Sequence, residues 1–168
     1  QMKGTRVDAE FQGNKIIDIT TPSKGWSQNP FGGKATLGPI TDDELKQKLD
    51  DLDIQDAFID YKSKGSVVEF LGKDEEDGNE YHKIKMTTKN GNDKTYFFDI
   101  QTNLIYKIES VVKQQGQEVK SAVKYLDYQT LDFGIKMALK QDQGQMMMVN
   151  KKIIVNPTID AAIFNGGN

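Results

Sequence analysis

Cysteine is absent from this 168-residue chain, and His82, Arg6 and Trp26 are the single histidine, arginine and tryptophan. The lack of cysteine excludes disulfides, thiolate nucleophiles and cysteine-ligated metals, and says little about compartment. One imidazole leaves no histidine-rich zinc site and confines any Ser-His-Asp triad to His82. The phosphate loop G-x-x-x-x-G-K-[ST] does not occur. With one arginine among 22 basic residues and a net charge of −3, a dedicated nucleic-acid or phosphate binder is not expected, since such proteins carry a basic excess and use arginine for bidentate contacts. Tyr96-Phe97-Phe98 beside Lys94 is the one hint of a nucleic-acid-binding sheet, and no basic stripe accompanies it. No apolar run approaches the roughly 18 residues of a membrane helix. Mean hydropathy is −0.63 and 36% of residues are hydrophobic, the balance of a soluble globular chain. At roughly 150 residues per domain, residues 1–168 read as a single domain.

What the chain does have is period-two alternation broken by Gly and Asn turns, the pattern of antiparallel strands with one buried face. Thr5 to Phe11 and Lys15 to Ile19 flank Gly13-Asn14 as a hairpin. Ser66 to Leu71 and Tyr81 to Thr88 flank the acidic run Asp74 to Asn79, which lacks the EF-hand ligand pattern and is expected to be a solvated hairpin loop. Turns at Asn90-Gly91-Asn92, Gln101-Thr102-Asn103, Gln115-Gly116-Gln117 and Gln143-Gly144 separate further strands, the last of them Leu131 to Leu139 and Gln145 to Val155. About ten strands joined by short turns predict a mainly β, up-and-down antiparallel meander. The exception spans about residues 41–59. Thr41 and Glu44 form a capping box, Ile40 and Leu45 a staple, and Leu45, Leu49 and Leu52 share one helical face. A second short turn of helix from Asp53 would bring Ala57, Phe58 and Ile59 to the same surface.

One strand parity collects large, adaptable side chains: Phe70, Met86, Tyr96, Phe98, Tyr106, Phe133, Met137 and Met147 among them. A curved sheet lined this way and covered by one leucine-faced helix is either a packed core or a greasy cavity. Methionine, as in Met146-Met147-Met148, suits ligands of variable shape. Trp26 and Phe31 stand near the Gly32-Gly33 loop as core anchor or cavity rim. His82 has no second His or Cys beside it, so hydrogen bonding or solvation is expected rather than metal ligation. Asp160 reads as the N-cap of a last turn that docks Ile163 and Phe164. No carboxylate pair is placed by a motif, so no enzyme, metal or cofactor is expected.

Lys24 to Phe31, Thr41-Asp42-Asp43-Glu44-Leu45, Asp60-Tyr61-Lys62 through Val68 to Lys73, and Val155 to Phe164 together resemble the outer-membrane lipoprotein-sorting proteins of the LolA/LolB-like family, in the Bacteroidetes-type form. The match runs in order along nearly the whole chain. The resemblance implies an unclosed antiparallel up-and-down β half-barrel with a short helical lid, and an apolar interior holding acyl chains. It also implies a periplasmic or envelope location, and an acyl lipid or lipoprotein and the envelope sorting machinery as partners. Family members carry a further N-terminal helix and strands, so Gln1 is expected to lie inside a longer precursor. The Arg-Pro stretch of the carrier members has no match here. On this reading the candidate cavity and lid residues are Trp26, Phe31, Leu45, Leu49, Leu52, Phe58, Ile59, Phe70, Met86, Tyr96, Phe98, Tyr106, Phe133, Met137 and Met147. The helix either lifts as a lid or stays docked as part of the core. The rival function is an envelope sensor or interaction domain with a packed core that binds a protein partner.

Overall fold

The computed structural model describes residues 4–53, 55, 57–114 and 117–166. Two compact units divide the chain: Gln1–Asp60 with Asn156–Asn168, and Tyr61–Val155. The protein is mainly β and wholly antiparallel, and neither unit's sheet closes into a barrel. Every neighbour in each sheet is also the neighbour in sequence, so the predicted meander is present. It runs as two sheets, of four and seven strands, rather than as one continuous sheet.

The first unit holds β1 (Thr5–Phe11), β2 (Asn14–Thr20), β3 (Gly25–Asn29) and β4 (Lys34–Pro39) in that order. The β1–β2 turn at Gln12-Gly13 has both residues at positive φ, the twist that a tight hairpin needs. Between β3 and β4 the Asn29 side chain accepts the Phe31 and Gly32 amides and caps the 3-10 turn Pro30–Gly32. The helix α1 (Asp42–Lys48) follows, with the capping box made as the sequence predicts: Thr41 Oγ1 accepts from the Glu44 amide and Glu44 Oε2 from the Thr41 amide. It runs into a 3-10 turn at Leu49–Leu52. The chain then continues through turns at 57–65 rather than a second helix; positions 54 and 56 of that expected helix lie outside the described residues.

Pairing in register places Arg6, Ile19, Trp26 and Pro39 on one face of the first sheet, and Val7, Asp18, Ser27 and Gly38 on the other. The C-terminal segment lies against the first of these faces. Arg6 Nη1 donates to the Ile163 carbonyl at 2.8 Å, and Gly166 runs so close over Trp26 that a Cβ there would overlap the indole ring. As predicted, Asp160 caps the last 3-10 turn, Ala161–Phe164, through the Ala162 amide. The helix α1 is tied to the same sheet at both of its ends, by Glu44 to Lys34 of β4 at 2.8 Å and by Lys48 to Asp18 of β2 at 2.9 Å.

The second unit is the seven-stranded sheet of β5 (Val67–Glu76), β6 (Asn79–Thr87), β7 (Asp93–Asp99), β8 (Ile105–Gln114), β9 (Gln117–Thr130), β10 (Lys136–Asp142) and β11 (Met147–Val149), in order. Three expectations change here. The acidic run is strand rather than loop: Asp74, Glu75 and Glu76 pair with Tyr81, Glu80 and Asn79, leaving only Asp77-Gly78 as the turn. Leu131 to Gly134 is a turn rather than the start of a strand, closed by the Gly134 amide donating to the Leu131 carbonyl. The last strand is three residues long, so Met146 and Ile153 to Val155 fall outside it. The expected turn at Gln115-Gly116 lies outside the described residues.

Candidate functional site

Two β-bulges decide which side chains meet on the seven-stranded sheet. In β5 the register slips between Phe70 and Gly72, where Gly72 takes φ 99°, a conformation that only glycine adopts easily. Leu71 is the extra residue. Before it, Val68 and Phe70 pair with Met86 and Ile84; after it, Lys73 and Glu75 pair with His82 and Glu80 on that same face. In β8 the slip falls between Phe97–Lys107 and Phe98–Ile105, so Tyr106 is the extra residue.

One face therefore carries a connected run of apolar side chains, with Lys94, Ser110, Gln129 and Gln141 at its margins. Phe70, Ile84, Met86, Tyr96, Phe98, Ile108, Val123, Tyr125, Met137 and Leu139 follow one another across β5 to β10 in direct register or strand alternation. Tyr96 and Phe98 lie with centroids 6.3 Å apart. Burial along this face is uneven: Met86 is 1% and Tyr96 5% exposed, whereas Phe70 is 61% exposed. His82, at the β5–β6 end, meets Phe70 edge-on at 5.7 Å. Its Nδ1 is buried without a hydrogen-bond partner, so the expectation of a hydrogen-bonded or solvated ring is not met at that atom.

The opposite face is charged and aromatic. Phe97 lies beneath two ammonium groups, Lys107 Nζ at 4.2 Å and Lys83 Nζ at 5.2 Å from its centroid. The Lys stems and cation–π attraction keep it only 2% exposed. Tyr81 stacks on Tyr106 at 4.5 Å. Glu76 accepts from Lys107 at 2.7 Å, Lys124 at 2.6 Å and the Tyr106 hydroxyl at 3.3 Å. Hydrogen bonds from Lys107 and then Lys124 hold its carboxyl down at about 2. The same bond to Glu76, and one to Tyr106, push Lys124 up. Burial acts against the charge of Lys107, but Glu76 and Glu109 outweigh it and its pKa is raised. Burial raises the Tyr81 phenol, with neighbouring acidic groups adding to it.

Of the fifteen residues singled out from the sequence, Phe70, Met86, Tyr96, Phe98 and Met137 share the apolar face. Tyr106 does not, because the β8 bulge turns it onto the charged face against Tyr81 and Glu76. Met147 also leaves the apolar face, since it pairs with Asp142, which pairs with Lys124 on the charged side; Met148 takes its place opposite Gln141. Phe133 sits in the 131–134 turn, 43% exposed. The remaining seven belong to the first unit. Trp26 is half-buried under the C-terminal segment, and Phe31 is 54% exposed and edge-on to Phe11 at 5.5 Å. Leu45, Leu49, Leu52 and Phe58 are half-buried, and Ile59 is exposed.

Parity counting sets His82 on the face of Ile84 and Met86, as found, but missed Lys73 and Glu75, which the bulge brings beside His82 and Glu80 as one polar end of that face. A glycine isolated within the β5 pattern was the signal that would have found them. Among the described residues no three His, Asp or Glu side chains gather as a metal site, and no helix is long and apolar enough to cross a membrane.

No family model and no curated protein matches the chain significantly. Two solved structures resemble it. A domain from Vibrio parahaemolyticus named for outer membrane lipoprotein sorting is 11% identical with a TM-score of 0.44, covering 89% of this chain and 77% of its own. A DUF1329 family protein from Desulfovibrio piger is 14% identical with a TM-score of 0.44, covering 95% and 79%.

Proposed function

We propose that the apolar face of the seven-stranded sheet binds acyl chains, and that the protein is a periplasmic or envelope carrier of a lipid or lipoprotein. Its role on this reading is in outer-membrane lipoprotein sorting or lipid transport, as a binding protein rather than an enzyme. One observation carries the proposal. Among the described residues only Ile19, Tyr81, Met86, Tyr96 and Phe97 are buried hydrophobic side chains, while nineteen large apolar side chains are exposed, Phe70 and Val119 of the apolar face among them. A chain that alternates so regularly yet fills so little core leaves apolar surface for something else to cover. Each methylene moved onto such a surface contributes at most about 0.8 kcal/mol, so even a partly covered acyl chain gains several kcal/mol without polar recognition.

Native mass spectrometry of protein purified without detergent, followed by lipid analysis of the denatured sample, tests this directly. Acyl-lipid adducts, or uptake of added myristic acid, are expected, and Phe98→Asp should abolish them while the circular dichroism spectrum is kept. A clean apo mass that takes up neither myristic acid nor an acylated peptide would overturn the carrier and favour a protein-interaction domain.

A further inference from the structure

The ladder between β5 and β6 changes character along one face. Its rungs Val68–Met86 and Phe70–Ile84 are apolar, the next is Lys73–His82, and the last before the turn is Glu75–Glu80. Rungs on one face stand about 6.7 Å apart. The order toward the hairpin tip is thus apolar, cationic with imidazole, then acidic. The bulge at Leu71 produces this order. With plain alternation Asp74 and Glu76 would face the apolar side; the extra residue sends them to Lys83, Lys107 and Lys124 on the other, and brings Lys73 and Glu75 round instead.

Two features mark these rungs as unfinished. His82 Nδ1 is buried and bonds to nothing, on a ring held edge-on by Phe70. Lys73 Nζ stands 3.5 Å from Glu80 Oε1, with the two side chains 57% and 61% exposed, a loose pair that solvent screens. Resting on the acyl-chain reading above, we propose that this end of the face recognises the head group of a zwitterionic phospholipid, with phosphate and ammonium in sequence. Lys73 donates to phosphate oxygens, joined by the Nδ1–H tautomer of His82 once its ring turns that atom outward, Glu75 and Glu80 accept from the ammonium, and the acyl chain runs on over Phe70 and Ile84. A zwitterion supplies the counter-charge for both polar rungs; a purely anionic head meets the two glutamates, and an uncharged one leaves the buried nitrogen unbonded.

The test compares three single-chain myristoyl lipids by isothermal titration on the full chain below their critical micelle concentrations: the phosphoethanolamine, the phosphoglycerol and the plain monoglyceride. The phosphoethanolamine should bind about tenfold more tightly than the other two. Lys73→Gln should remove its advantage over the monoglyceride, and His82→Leu should do the same. Glu75→Gln with Glu80→Gln should remove its advantage over the phosphoglycerol. Lys73, Glu75 and Glu80 are exposed, so these variants keep the test alive if His82→Leu fails to fold. Equal binding of all three lipids, or a preference unchanged by the variants, would overturn the head-group site and leave the acyl-chain reading standing. Binding of none would overturn both.

Discussion

At the scale of single residues, the strongest electrostatic commitment is Glu76, which three donors hold on the charged face. Its carboxyl titrates at about 2 in the folded protein, below the ordinary value near 4.3. A depressed folded pKa means that the ionised form favours folding. That contribution is complete above pH about 4.5 and is lost as the pH falls towards 2. Urea titrations across this range should show wild-type stability falling more steeply than that of Glu76→Gln. The variant should be about 1 kcal/mol less stable at neutral pH, the modest figure reflecting a side chain that solvent still reaches. A parallel pH slope in both proteins would show that the three donors hold nothing that folding depends on. Lys107→Met carries a second expectation, because that ammonium both bonds Glu76 and covers Phe97: loss of about 2 kcal/mol, with the Phe97 ring newly exposed to solvent.

At the scale of elements, the hairpins and the helix start were legible because their signals are local. Gly13-Asn14 between alternating runs signals a turn, which forms one residue earlier at Gln12-Gly13, and Thr41 with Glu44 is a capping box whose two hydrogen bonds form as the spacing requires. Removing the cap by Thr41→Ala should cost about 1 kcal/mol, read as an earlier urea midpoint in the fluorescence of Trp26, which belongs to the same unit. The faces of the long strands were legible only up to their bulges. Phe70, Met86, Tyr96 and Phe98 fell where alternation puts them, but one inserted residue inverts the parity of everything beyond it, and Tyr106 shows that such an insertion need not involve a glycine. The acidic run misled for a related reason. Four consecutive acids have low strand propensity, and only the lysines of β6, β8 and β9, distant in sequence, make a strand there favourable. Gly72→Ala should destabilise by about 1–2 kcal/mol through its backbone angle alone, since no neighbouring atom would meet the added methyl; chemical denaturation measures it.

At the scale of the whole molecule, a net charge of −3 and the proposed binding face of aliphatic, aromatic and methionine side chains define how binding should respond to conditions. For an uncharged acyl ligand, calorimetry at several temperatures should give a negative heat-capacity change, and affinity should hold or rise between about 0.1 and 0.5 M salt. A strong loss of affinity with salt would mean that ion pairs, and not the apolar face, dominate. The same sheet also shows what a single codon is worth. Deleting Leu71 would remove only the extra residue, so Gly72 to Glu76 would keep their partners on β6. Inserting one uncharged residue between Gly72 and Lys73 would also leave every charge in the chain in place, but it would turn Lys73 to Glu76 onto opposite faces and take Asp74 and Glu76 away from Lys83, Lys107 and Lys124. In this strand the reading frame of the side chains, and not their inventory, is what inheritance has to preserve.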